Sequence, residues 1–272
     1  MIDHRPKNLN EFLKINSEIR RDSWSPYLAF FRGQSQDWPI VPGVNREMRF
    51  TIEEIKNREA ALFVEFLQSE HYGYKLQKHF SKDEYEFAQK WLDLFQAQHL
   101  GVKTRLTDWT QSYENALSFA LQNKRPSDKD AVLWIYKCPY SEEYLINFNR
   151  DEERYYFDID PFMLPTTVAV KHYSMFDDFM DYQGERRRFR QDGSFLISSS
   201  KDLKTPLEEI PELKQHLEKV YISPDLKKEI LEEYLNPELE DYMYDRADEQ
   251  KIADFEALAE KIKQLNLKHF VA

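Results

Sequence analysis

An α+β fold, a β-sheet surrounded by several α-helices, is predicted for this 272-residue chain by three observations. Capping-box patterns open two stretches whose apolar residues recur at helical spacing. A middle stretch around Val132, Trp134 and Tyr136 alternates as a strand does. A further helical stretch closes the chain, and no internal repeat or Pro/Gly/Ser-rich linker divides it. One compact unit over 1–272 follows, with an N-terminal helix and a C-terminal helical annex from about 203 to 272.

Each element has its own signal. Asn10 to Arg21 reads as a short amphipathic helix and Tyr27 to Arg32 as an aromatic-rich strand. Thr51 and Glu54 form a capping box, after which Ile52, Ile55, Leu62, Phe63, Phe66 and Leu67 share a helical face. Ser81 and Glu84 repeat the signal for a helix carrying Ala88, Trp91, Leu92 and Phe95 and ending at Gln98 and His99. A third helix, Ser112 to Gln122, turns Ala116, Phe119 and Ala120 inward. Prolines at 139, 161 and 165 punctuate the strand-rich middle, where Thr166 to Tyr173 and then Phe189 to Ile197 read as strands, with a short one at Lys219 to Ile222. Ser223 before Pro224 is an N-cap followed by proline at the first helical position, opening a helix to Leu235. The last helix, Glu249 to Leu265, aligns Ile252, Phe255, Ala259 and Ile262.

Composition excludes several classes. A single cysteine, Cys138, rules out a disulfide scaffold and suits a reducing compartment. The longest apolar run, Ala131 to Tyr136, is far short of the ~20 residues of a membrane helix, and the polar opening Met1 to Asn10 lacks a signal peptide's apolar region. A cytoplasmic protein without a membrane partner is expected. Lys+Arg total 38 against Asp+Glu 49, a net charge of −11, so nucleic acid is disfavoured unless a local basic patch overcomes the global field. Arg186 to Arg190 is the one dense basic run; it either lines a site or is a solvated face paired with Asp177, Asp178 and Asp181. No Gly-x-x-x-x-Gly-Lys, Gly-x-Gly-x-x-Gly, His-Glu-x-x-His or Cys-x-x-Cys pattern occurs, and the seven histidines show no metal-ligand spacing.

Glycine is scarce. There are six, where average usage near ~7% would give roughly nineteen. Gly33, Gly101 and Gly193 each lie close to an arginine, and their segments hold the candidate site. In Phe30-Phe31-Arg32-Gly33-Gln34, alternation sends Arg32 to the side of Leu28 and Phe30, so its guanidinium needs either a structural salt bridge or a ligand, with Gly33 letting backbone approach that ligand. In Gln98 to Thr110, Gly101 fits the end of a helix, and Asp108 or Thr110 fits the N-cap of the next, concentrating His99, Arg105, Thr107 and Trp109 in one turn. Asp108 pairs there with Arg32 or Arg105 if the role is structural. In Glu185 to Phe195, a lone Gln191 shares a strand face with Phe189, Gly193, Phe195 and Ile197 and needs partners if buried.

Together these segments resemble the FRG domain family, named for its Phe/Tyr-Arg-Gly signature. The match runs through Phe31-Arg32-Gly33-Gln34, Trp38 and Pro42, then Gln98-His99-x-Gly101 with Thr104-Arg105-Leu106-x-Asp108-Trp109-Thr110, then Ala116 and Phe119-Ala120, and Arg188-x-x-Gln191-x-Gly193-x-Phe195. The pattern is in turn similar to the ADP-ribosyltransferase fold, which implies a small antiparallel, split sheet around an NAD-binding cleft. The resemblance implies a nucleotide-like small-molecule ligand with NAD as substrate, Arg32, Asp108 and Gln191 as the reacting set, and Gly33, Gln34, Gln98, His99, Arg105, Thr107 and Trp109 lining the cleft. ADP-ribosyl transfer or NAD cleavage needs a carboxylate beside an oxocarbenium-like centre. The transferase pattern has a late-strand glutamate where this chain has Gln191, so Asp108 or Glu185 would have to supply that charge. The alternative is a non-catalytic interaction or sensing module with a protein partner, in phage or stress defence, whose motifs form an internal hydrogen-bond network.

Overall fold

A computed structural model describes residues 1–22, 27–47, 49–68, 82–121, 128–141, 143–147, 159–171, 193–233 and 249–270. Its elements follow in chain order as β1 (Ile2–His4), α1 (Leu9–Asp22), β2 (Tyr27–Gln34), a 3-10 turn (Gly43–Asn45), α2 (Ile52–Gln68), α3 (Lys82–His99), β3 (Leu106–Thr110), α4 (Tyr113–Leu121), β4 (Ala131–Pro139), β5 (Leu145–Asn147), β6 (Val168–Lys171), β7 (Gly193–Ile197), α5 (Pro211–Lys214), β8 (Leu217–Ile222), α6 (Pro224–Glu233) and α7 (Glu249–Phe270). The α+β expectation holds.

Local chemistry sets several boundaries. The Thr51 hydroxyl accepts the Glu54 amide hydrogen at 3.2 Å, and the Glu54 carboxylate accepts the Thr51 amide at 2.7 Å, so the capping box at the start of α2 forms in full. Gly101 ends α3 at φ +85°, with its amide on the Gln98 carbonyl and the Val102 amide on the Ala97 carbonyl; this paired closure needs a residue tolerant of the left-handed region. Ser223 caps α6 by accepting the Leu226 amide at 3.2 Å.

The strands form one sheet in the order β1-β8-β4-β2-β3-β7-β6-β5, antiparallel except for the β1–β8 and β5–β6 pairs. Cross-strand partners share a face. On one face Ala29, Phe31, Leu133, Ile135 and Val220 pack with α1, α4 and α6. Leu106, Phe195, Ile197 and Val170 continue that face under Trp91, Leu94 and Phe95 of α3. The opposite face carries Phe30, Trp109, Trp134, Tyr136 and Leu196 and is covered by Ile40 and by Leu207, Ile210 and Leu213.

The sheet has a thin seam. Each of β4–β2 and β3–β7 is registered along its length, but β2 meets β3 only at Phe31 opposite Thr110. Beyond that pair, Arg32, Gly33 and Gln34 run alongside β4 without matched partners on β3. The sheet is therefore a mixed one that narrows in the middle, at the single β2–β3 pair.

Two details depart from the sequence reading. Residues 106–110 are a strand and not a turn with Asp108 or Thr110 as N-cap; the cap of α4 is Ser112, whose hydroxyl accepts the Asn115 amide at 3.2 Å. Ile2–His4 adds an edge strand at the polar start. The expected strand over Phe189 to Ile197 is seen from Gly193 onward. Its earlier part, the Ser81 cap, Gln191 and the arginine run 186–190 lie outside the described residues.

Candidate functional site

Arg32 leaves β2 on the face of Phe30 and Trp134, beside the seam. Its Nη1 donates to the backbone carbonyl of Asp108 at 2.5 Å, and its Nε is buried without a hydrogen-bond partner. Desolvation lowers the guanidinium's pKa, the Asp108 charge opposes that, and the charge of Arg46 adds to it. A guanidinium carries five donors, so one carbonyl leaves most of its capacity open.

Asp108 is exposed, and its carboxylate points to the helical face of β3, since it shares that face with Leu106 and with its register partner Phe195. There Gln98, at the end of α3, donates from Nε2 to Oδ1 at 2.9 Å, while Gln98 Oε1 accepts the Thr104 hydroxyl at 2.6 Å. Thr104 in turn accepts the Leu106 amide at 3.1 Å. Arg32, Asp108, Gln98 and Thr104 thus form one linked set, with Arg32 meeting the Asp108 backbone and Gln98 its side chain.

The remaining candidates have other attachments. Arg105 is buried and bound on two sides by the Glu59 carboxylate, at 3.1 Å from Nε and 2.5 Å from Nη2, while Nη1 reaches the Phe162 carbonyl at 3.2 Å. It pairs with neither Asp108 nor an open space, because α2 brings Glu59 directly over the start of β3. Gly33 is required by packing: a Cβ there would overlap the Ala116 carbonyl oxygen and the Ala120 amide nitrogen, so α4 lies directly against β2 and that side of Gly33 is closed to a ligand. Gln34 accepts the indole N–H of Trp134 at 2.8 Å. Thr107 accepts the Trp109 indole at 3.1 Å and donates to the Leu196 carbonyl at 3.3 Å, which ties both into the face opposite the helices. His99 is partly buried in the last turn of α3. Cys138 is buried in the sheet and its thiol is pushed up to about 12 by desolvation, which keeps it protonated and unreactive.

Glu59 escaped the sequence reading. Its position on the inward side of α2, one turn from Ile55 and Leu62, was the available signal: a charge on an apolar face requires an opposite charge. Among the described residues no group of three or more His, Cys, Asp or Glu side chains is arranged to hold a metal ion, and no helix is long and apolar enough to cross a membrane. Two surface recesses, one over Ala60 and Val64 and one over Gly101 and Asn266, are lined by neither Arg32 nor Asp108.

The seam, the Phe-Arg-Gly strand on one side of it and the Gln-His-x-Gly turn leading to Asp108 on the other define a signature-bearing domain. The family model of the FRG domain matches residues 28–129, and this part of the chain is an FRG domain. No curated protein and no solved structure gives a significant match.

Proposed function

We propose that the FRG domain binds a nucleotide-like anionic ligand, with Arg32 as the anchor and Asp108 as the acidic residue linked to it, its backbone carbonyl accepting from Arg32 and its carboxylate held by Gln98 on the opposite face of the sheet. The observation that carries this reading is the state of Arg32: a half-buried guanidinium with a buried, unpartnered Nε and no carboxylate bound to it among the described residues. Removing part of a charge from water without a counter-charge is costly, a bound anion offsets that cost, and the planar fork of arginine matches the oxygens of a phosphate. NAD and ADP-ribose are the ligands the family's likeness to ADP-ribosyltransferases suggests. If NAD is cleaved, Asp108 is the group suited to stabilise the oxocarbenium-like centre.

A thermal-shift titration with NAD and ADP-ribose tests the reading. A rise in melting temperature in the wild type that is absent in Arg32→Ala supports it, and no rise with either nucleotide rejects it. Release of nicotinamide, abolished in Asp108→Asn, would extend the reading to catalysis.

The second reading, an internal network in a non-catalytic interaction or sensing module, draws support from the Arg32–Asp108 carbonyl contact and the Gln98–Asp108 bond. It calls for strong destabilisation in Arg32→Ala, where the ligand reading calls for modest destabilisation with loss of binding.

A further inference from the structure

Hydrogen bonds at the ends of two ladders fix which way the main chain faces at the seam. In an antiparallel ladder successive residues turn their N–H and C=O groups alternately to one neighbouring strand and the other. The Ser198 amide donates to the Arg105 carbonyl at 3.0 Å, and the Lys137 amide to the His216 carbonyl at 2.9 Å. Carried along the β3–β7 register, the first bond turns Asp108 and Thr110 toward β2. Carried through the β4–β8 and β2–β4 registers, the second turns Arg32 toward β4 and leaves Phe31 and Gly33 facing β3.

Phe31 opposite Thr110 is the single pair of the β2–β3 ladder. The next rung would set Gly33 opposite Asp108, and both residues turn their main-chain groups into the space between the strands. No pair forms there, nor at Arg32 opposite Trp109. The Asp108 carbonyl that would accept the Gly33 amide holds Nη1 of Arg32 at 2.5 Å. On the helical face neither residue puts a side chain between the strands, since Gly33 has none and the exposed Asp108 carboxylate is bonded to Gln98. The side chain that crosses the seam is that of Arg32, from the other face.

We infer that Arg32 is a wedge that holds the sheet one rung open, and that withdrawal of its guanidinium from Asp108 lets Gly33 and Asp108 pair. The trigger rests on the proposed function and deepens it. An anion that engages the guanidinium competes with the Asp108 carbonyl for the same donors, and a charged acceptor makes the stronger hydrogen bond. The freed carbonyl then accepts the Gly33 amide, the Gly33 carbonyl accepts the Asp108 amide, and the ladder gains a rung. The Asp108 side chain moves with its backbone, so capture of an anion on one face resets the acidic residue and its Gln98 contact on the other. The ligand shifts a two-state equilibrium because it binds the arrangement in which Arg32 is free.

Amide hydrogen exchange resolved by NMR on the full chain reads the rung, and an α-proton contact between residue 32 and Trp109 is its geometric signature. In Arg32→Met without ligand, the Gly33 amide is expected to exchange about tenfold more slowly than in wild type, the effect of one added hydrogen bond, and the contact to appear. Wild type saturated with ADP-ribose is expected to show the same changes, while Phe31 and Thr110, already paired, keep their rates. Arg32→Ala serves if the methionine variant does not fold. Gly33 exchanging in the variant as it does in wild type, with no new contact, overturns the wedge; a rise in wild-type melting temperature with ADP-ribose then leaves the proposed function standing. Binding of ADP-ribose without slowing of the Gly33 amide overturns the trigger. A closed rung in the variant, beside a wild type that neither ADP-ribose nor NAD stabilises, supports the wedge and rejects the proposed function.

Discussion

Arg105 immediately precedes β3 and Arg32 lies on the neighbouring β2, yet their surroundings differ in kind. Arg105 is closed in: Glu59 holds it with two oxygens, the Phe162 carbonyl takes a third donor and the Phe162 ring lies 4.8 Å from the guanidinium carbon. Arg32 has one carbonyl and an unanswered Nε. The difference separates a charge whose partner is part of the fold from one whose partner has to come from elsewhere. Asp93 provides an acidic parallel. It is buried on α3 with Gln89 donating to it, and desolvation pushes its pKa to about 7. A carboxyl relieves burial by taking up a proton; a guanidinium has no such escape in the accessible pH range.

The largest effect that would sharpen this contrast is Glu59→Gln, which leaves Arg105 buried with its charge unmatched and is expected to cost ~3 to 5 kcal/mol in urea denaturation. A cost below ~1 kcal/mol would mean the two arginines do not differ as described. Gly33→Ala is expected to cost about 1 to 3 kcal/mol or more, since α4 must move off β2 to admit the methyl group. An unchanged stability would show that the seam already has room beside Gly33.

Asp93→Asn tests the acidic parallel. The native pKa of about 7 lies above the ordinary 3.8, so the folded state holds more protons between those values and stability falls as pH rises through that window. The asparagine variant is expected to flatten the profile and to gain on the order of 2 kcal/mol at mildly alkaline pH. A wild-type stability that does not fall between pH 4 and pH 7 would contradict it. The smallest shift is expected for Arg32→Met, which keeps the length of the side chain and removes the charge: stability within about 1 kcal/mol of wild type, with ligand binding lost. A loss as large as that of Glu59→Gln would place Arg32 with Arg105 as a structural residue.

Much of the fold was legible because its signals are local. Thr51 and Glu54 are in one turn, Gly101 follows a single helix, and Ser223 with Pro224 prepares α6 within a few residues. The strand β3 was not legible, because five residues of mixed polarity read equally well as a capping turn; pairing with β7 at five positions settles it. Alternation of Thr107 and Trp109 against Leu106, Asp108 and Thr110, with aromatic and β-branched residues among them, was the faint signal. The edge strand β1 had even less, as its first two residues are exposed and it pairs only with β8.

The candidate site shows the same division. From the sequence alone came the segments worth examining, because scarce glycines, a strand alternation that turned Arg32 toward apolar neighbours and a helix end at Gln98 are properties of contiguous residues. Which arginine would find a carboxylate was decided only in three dimensions. Glu59 reaches Arg105 across 46 positions and the Asp108 carbonyl reaches Arg32 across 76, and no local rule selects among the 49 acidic side chains of the chain. Packing of α2 over β3 makes that choice, because burial penalises every charge but rewards only the pair that the backbone brings within hydrogen-bonding distance.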